Sequence, residues 1–193
     1  MDYIVVDIET CPIDKNGYLS VGVSERKKLL NPIDSKIIAI GIKRRGNDPI
    51  VFHSKDEKQM LGDFWLELSA FRKGDFSNKI VGFNIKGFDL PFLVTRSFMH
   101  EVTIAPFVLK DVIDLRESLS AFKYGKLRGK LKDFAQYIKN LEVLDDIDGE
   151  KVAEEYWAGN IDKILEYLKK DLEITEAIYN RVVKLRINEI QRW

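Results

Sequence analysis

Asp7 and Glu9 stand two residues apart at the end of a run of largely β-branched and aromatic residues, Tyr3-Ile4-Val5-Val6-Asp7-Ile8. Strand side chains alternate, so the two carboxylates project from one face. Two acids on the same face of a buried strand are costly to keep ionised without compensation. A divalent cation supplies it, and oxygen-only ligands suit Mg²⁺ or Mn²⁺. Taken alone, the triplet fits a strand end emerging into water better. Asp-x-Glu recurs at Asp148/Glu150 and Asp171/Glu173, and short motifs recur by accident.

Two further patterns carry polar groups at useful spacing. Asn84-Ile85-Lys86-Gly87-Phe88-Asp89 occurs once, between an expected strand and an expected helix, where loops present functional groups. The plainer reading makes Asp89 a helix cap, Asn84 a turn residue and Phe88 core. Tyr167 and Asp171 are four apart in an expected helix, so phenol and carboxylate share a face. There the plainer reading is a core aromatic and a solvated acid beside Lys169 and Lys170.

Positioning these groups requires a sheet and several helices. Residues 2–8, 36–43, 50–53, 79–83 and 111–115 read as strands. Residues 56–72 show helical spacing through Met60, Leu61, Phe64, Leu66 and Leu68. Asp89 reads as the N-cap of a helix reaching about His100, with Pro91 in its first turn. Residues 13–35 read as a polar connection. Residues 130–139, 150–157 and 161–191 read as helices, the last carrying Tyr167 and Asp171. Mixed strands and helices without repeats or linkers predict one α/β domain over residues 1–193, with a central mixed five-stranded sheet flanked by helices.

Composition narrows the function classes. Thirty-one basic residues balance 31 acidic ones, which argues against coating nucleic acid by bulk charge and permits a local basic patch beside an acidic site. No apolar run approaches a membrane span, no signal peptide is expected, and the single cysteine, Cys11, fits a cytoplasmic protein. The run from Lys123 to Lys132 could track a phosphate backbone with Tyr124 stacking a base, or be a solvated loop. Lys43-Arg44-Arg45 reads as a charged strand end, and Cys11 as a small buried residue. Ile178, Val182, Leu185, Ile190 and Trp193 form an apolar stripe expected to pack into the core, the alternative being a dimer or partner surface.

In order and context, the three patterns resemble the DEDDy exonucleases, ribonuclease-H-like 3′→5′ enzymes. Val6-Asp7-Ile8-Glu9-Thr10-Cys11-Pro12 is similar to the first motif of the proofreading domains of family B DNA polymerases. Asn84 with Phe88-Asp89-Leu90-Pro91-Phe92-Leu93 is similar to the second motif of stand-alone exonucleases related to them. The sister branch places a histidine five residues before the last aspartate. Here that position is Glu166, and the only histidines are His53 and His100, so the tyrosine branch is the one that matches.

The resemblance implies a ribonuclease-H-like fold and a two-metal hydrolysis of nucleic acid from its 3′ end, with single-stranded DNA favoured over RNA. Asp7, Glu9, Asp89 and Asp171 would hold two divalent cations, Mg²⁺ or Mn²⁺. Asp7 would touch both, Glu9 and Asp171 the one that carries the attacking water, and Asp89 the other. Tyr167 would orient the water, since an ordinary phenol is a poor base at pH 7. Thr10, Asn84 and Phe88 would contact the terminal nucleotide. A polymerase or repair protein is an expected partner. The alternative is a non-catalytic nucleic-acid-binding or scaffold module with the same fold, and a second rival is an endonuclease of the wider fold.

Overall fold

Strand β1 (Tyr3–Pro12) is buried throughout except at Asp7, which is half-buried. In the computed structural model, which describes residues 2–73, 78–120, 129–139, 141, 149 and 151–190, β1 is the central strand. The others are β2 (Ser35–Arg44), β3 (Ile50–Phe52), β4 (Lys79–Gly82) and β5 (Val112–Asp114). They form one sheet in the order β3-β2-β1-β4-β5. β1–β2 and β2–β3 are antiparallel, whereas β1–β4 and β4–β5 are parallel. The mixed five-stranded sheet expected from the sequence is therefore present.

Alternation along β1 divides the core. Ile4, Val6 and Ile8 face a cluster built with helices α3 (Glu57–Arg72) and α4 (Asp89–Met99), including Met60, Phe64, Trp65 and Phe92. Tyr3 and Val5 face the opposite side, where α8 (Ile161–Lys184) contributes Leu172, Ile178 and Tyr179. Asp7 and Glu9 continue that second face. Helix α8 runs antiparallel to β1. Tyr3 meets Tyr179 edge-on at a centroid distance of 4.7 Å, the middle of β1 meets Asp171, and Cys11 clusters with Ile164 and Tyr167.

Close approach of α8 depends on Gly41. This residue pairs with Asp7 in the β1–β2 ladder. A Cβ there would lie 2.7 Å from Leu172 Cδ1 and 3.0 Å from Leu168 Cγ. Both leucines are fully buried, and each such burial contributes about 1.5–3 kcal/mol.

A polar cluster ties α3 to α4 on the other layer. Arg96 Nε and Nη2 donate to Glu57 Oε1 and Oε2 at 2.9 and 2.6 Å, Ile37 N donates to Glu57 Oε1 at 2.9 Å, and His100 Nε2 lies 3.1 Å from Oε2. Asp56 caps α3, accepting from Lys58 N at 2.9 Å and Gln59 N at 3.3 Å.

Several boundaries differ from the sequence reading. Residues 13–35 are not a plain connection but contain helices α1 (Lys15–Ser20) and α2 (Val23–Leu29). Helix α5 (Leu115–Ser120) follows β5 directly. Helix α6 (Leu131–Ala135) is shorter than expected, because Tyr137 N and Ile138 N bond three residues back, to Phe134 and Ala135, in tighter turns. The next helix among the described residues is α7 (Val152–Trp157). Helix α8 stops at Lys184, and Arg186 follows at φ 59°, a left-handed conformation that ends a helix. Asp89 is the first residue of α4 and not its N-cap, which is Phe88. Lys43 pairs with Glu176 at 3.1 Å and Arg44 with Glu67, as a charged strand end would. Of the C-terminal stripe, Ile178 and Val182 are buried, whereas Leu185 and Ile190 are exposed and Trp193 lies outside the described residues. Among the described residues no helix is long and apolar enough to cross a membrane.

Candidate active site

The acidic site lies where β1, the turn after β4 and α8 converge, towards the carboxyl ends of the parallel strands, where open α/β sheets leave ligand crevices. A β-bulge interrupts the β1–β2 ladder just past Glu9: Glu9 pairs with Ala39 but Thr10 with Ile37. Bulges increase local twist and re-aim side chains. One carboxylate oxygen from each of Asp7, Glu9 and Asp171 lies within 4.8 Å of the others. Asp89, 2% exposed, reaches the same place from α4. Its Oδ1 accepts from Ile8 N at 3.1 Å, and its carboxyl hydrogen-bonds that of Asp7. That long-range bond to β1, not capping, is what Asp89's side chain does here.

Electrostatics mark the cluster as incomplete on its own. Burial, then the charges of Asp89, Asp171 and Glu9, pushes the Asp7 carboxyl well above the usual range. Burial and the charges of Asp171 and Asp89 do the same to Glu9. Burial pushes Asp89 up to about 7, against hydrogen bonds that lower it, and Asp171 up to about 6. Four gathered acids whose charged forms are all disfavoured lack a counter-charge. The donor set is all oxygen, which fits Mg²⁺ or Mn²⁺ and would suit a softer metal poorly.

Tyr167 sits one helical turn before Asp171, and its hydroxyl hydrogen-bonds that carboxylate. Burial and then the charges of Asp171 and Glu9 push the phenol far above its ordinary value, so it stays neutral at any physiological pH. The Lys132 ammonium lies 5.9 Å from the Tyr167 ring centroid and draws Asp171 downward.

These groups open into a cleft of about 390 Å³ that Asp7, Glu9, Thr10, Asn84, Phe88, Asp89, Tyr167 and Asp171 all line. The eight residues that the family resemblance singled out thus border one space. Of the other two Asp-x-Glu triplets, Asp148/Glu150 lies outside the described residues. In the third, only Asp171 reaches the cleft, while Glu173 pairs with Lys170 at 3.3 Å. Residues 123–128 of the basic run, Tyr124 included, lie outside the described residues, but Lys130 and Lys132 line the cleft.

Four contributors were not found in the sequence. Lys27 and Leu30 border the cleft from the segment read as a connection. Gly41 admits α8, and Asp114 binds the turn that carries Asn84. A local signal existed only for Asp114, as the acid closing the strand Val112-Ile113-Asp114.

The chain's relatives agree with this architecture. Residues 35–190 match the family model described as predicted 3′-5′ exonuclease related to the exonuclease domain of PolB. The match includes Asn84, Asp89, Tyr167 and Asp171 and begins after Asp7 and Glu9. An uncharacterized protein of Methanocaldococcus jannaschii is 34% identical, over 80% of this chain and 89% of its own length. Among solved structures, the family B DNA polymerase of the hyperthermophilic archaeon Pyrobaculum calidifontis superposes with a TM-score of 0.69 at 20% identity. That superposition covers 97% of this chain and 25% of the polymerase, so this chain spans about a quarter of that enzyme's length. The shared fold is the ribonuclease-H-like one of polymerase exonuclease domains.

Proposed function

Because the chain belongs to the family of predicted 3′-5′ exonucleases related to the exonuclease domain of PolB, we propose that it hydrolyses a nucleic acid strand from its 3′ end. The products would be nucleoside 5′-monophosphates, and residues 1–193 would act as one exonuclease domain. The observation that carries this reading is the convergence of Asp7, Glu9 and Asp171 within 4.8 Å, with Asp89 bonded to Asp7 and Tyr167 to Asp171. A non-catalytic module would gain nothing from this cluster, because buried, mutually repelling acids destabilise the fold.

Asp7, Glu9 and Asp171 would hold one divalent cation, Mg²⁺ or Mn²⁺, and Asp89 with Asp7 a second. When bound, the cations would make water a better nucleophile and neutralise charge developing on the phosphate. The chain's own groups do the rest. The neutral Tyr167 hydroxyl, held by Asp171, orients the attacking water and does not remove its proton. Lys130 and Lys132 on one side, and Lys27 on another, supply positive charge for phosphates. Phe88 packs against Phe92 at a centroid distance of 4.8 Å and offers its remaining surface to the terminal nucleotide beside Asn84 and Thr10. A cleft of about 390 Å³ has room for the terminal nucleotide of a strand, and kinship with a DNA polymerase domain favours DNA.

The test uses 5′-labelled single strands of DNA and RNA, and a closed single-stranded circle, with Mg²⁺, Mn²⁺ or EDTA. Shortening in a ladder from the 3′ end, with the metals only, supports the reading. Cleavage of the circle would show an endonuclease. Binding without any cleavage would leave the non-catalytic alternative.

A further inference from the structure

Asn84 is held with more support than a turn residue needs. Its φ is 62°, a left-handed conformation that asparagine tolerates better than most residues. Its carbonyl accepts from Gly87 N and Phe88 N, each at 3.0 Å. Those bonds suffice to close the turn. Asp114, 4% exposed, adds a second layer: it accepts from Asn84 N at 3.0 Å, Lys86 N at 3.1 Å and Glu117 N at 3.1 Å. One carboxylate thereby joins the Asn84 turn to the first turn of α5. The third layer reaches the side chain itself. Arg116 Nη1, on the same helix, donates to Asn84 Oδ1 at 3.2 Å.

That last bond fixes a chemical direction. A guanidinium has donors and no acceptor, so the amide atom facing Arg116 is the oxygen. The Nδ2 hydrogens are left to face elsewhere, and Asn84 lines the cleft beside Asp89. Gly87 completes the arrangement. A Cβ at that position would stand 2.9 Å from Asn84 Oδ1, so a larger residue would drive the amide off Arg116.

Resting on the exonuclease reading, we propose that Arg116 is a positioning residue acting through Asn84. It turns the amide so that Nδ2–H, and not Oδ1, is offered to an acceptor oxygen of the terminal nucleotide. Arg116 need not touch the strand. Asp114 sets the backbone, Arg116 the side chain, and the product is one donor presented in a fixed direction.

A double-mutant cycle tests this. Asn84→Ala is expected to raise KM for a single-stranded oligonucleotide about three- to tenfold with little change in kcat, the effect of one lost neutral hydrogen bond. Arg116→Ala should raise KM by a similar or smaller factor, and Arg116→Met, which keeps the packed stem, should match it. The double variant Asn84→Ala/Arg116→Ala should be no worse than Asn84→Ala alone. Additive losses would mean that Arg116 contacts the strand itself and would overturn the proposal, as would an unchanged KM in both Arg116 variants. Equilibrium binding of the same oligonucleotide in EDTA, followed by fluorescence anisotropy, repeats the cycle without turnover. A wild-type protein that binds but never shortens the strand would defeat the exonuclease reading, while the binding cycle still decides the role of Arg116.

Discussion

Gly41 stands opposite Asp7 in the β1–β2 ladder, and the space its missing side chain leaves is filled by Leu172 of α8, the residue after Asp171. One glycine therefore sets how near the last acid comes to the first. A methyl group there must move Leu172 and Leu168, both fully buried. Gly41→Ala is expected to cost about 1–3 kcal/mol by overpacking and to lower turnover and Mn²⁺ affinity together. Chemical denaturation and a metal titration check it. A variant with reduced stability but unchanged metal affinity would show that α8 yields elsewhere.

Tyr167 and Asp171 share a helix face but should fail differently. Asp171→Ala removes one of three clustered carboxylates and should abolish most activity and weaken Mn²⁺ binding. Tyr167→Phe keeps the ring and should retain metal binding while lowering kcat by roughly 10–100-fold, the lower part of what a positioned acid–base group contributes. Single-turnover kinetics and calorimetric Mn²⁺ titration separate the two. Wild-type turnover in Tyr167→Phe would reduce Tyr167 to a packing role.

The raised carboxyls give the metal-free protein a characteristic pH response. Folded-state values of about 7 for Asp89 and about 6 for Asp171 lie above those of the unfolded chain, near 4. Between these limits the folded state binds more protons, so stability falls as pH rises from about 4 through about 7. Burial is the main cause, and a bound cation would offset it by stabilising the ionised carboxylates. Mn²⁺ should therefore raise the melting temperature more at pH 8 than at pH 5. Equal shifts at both pH values would place the ion away from these acids.

The Glu57 cluster predicts the opposite sign. Burial pushes Glu57 upward, but hydrogen bonds from Arg96 and Ile37 N and the Arg96 charge outweigh it, leaving the carboxyl below its usual value. Its contribution is present above the unfolded value of about 4.3 and is lost as pH falls through the folded value. Arg96→Met should leave Glu57 buried with only Ile37 N and His100 beside it, at a cost of about 3–5 kcal/mol, and should reduce this loss at acid pH. Denaturant melts of both proteins from pH 3 to pH 7 measure it.

Local periodicity carried the placement of Asp7, Glu9, Tyr167 and Asp171. Alternation in a strand and the four-residue repeat of a helix are properties of the chain itself, so shared faces were legible before any packing was known. The mixed five-stranded sheet followed from the same patterns. Helix ends were less legible, because Arg186 in a left-handed conformation and the tight turns after α6 leave no periodic trace. Only tertiary structure decided that Asp89 bonds Ile8 and Asp7 instead of capping its helix, that Gly41 admits α8, and that Asp114 and Arg116 hold Asn84. Each of these is a contact between segments far apart in the chain. No repeat links such segments, and their meeting depends on how the helices settle on the sheet.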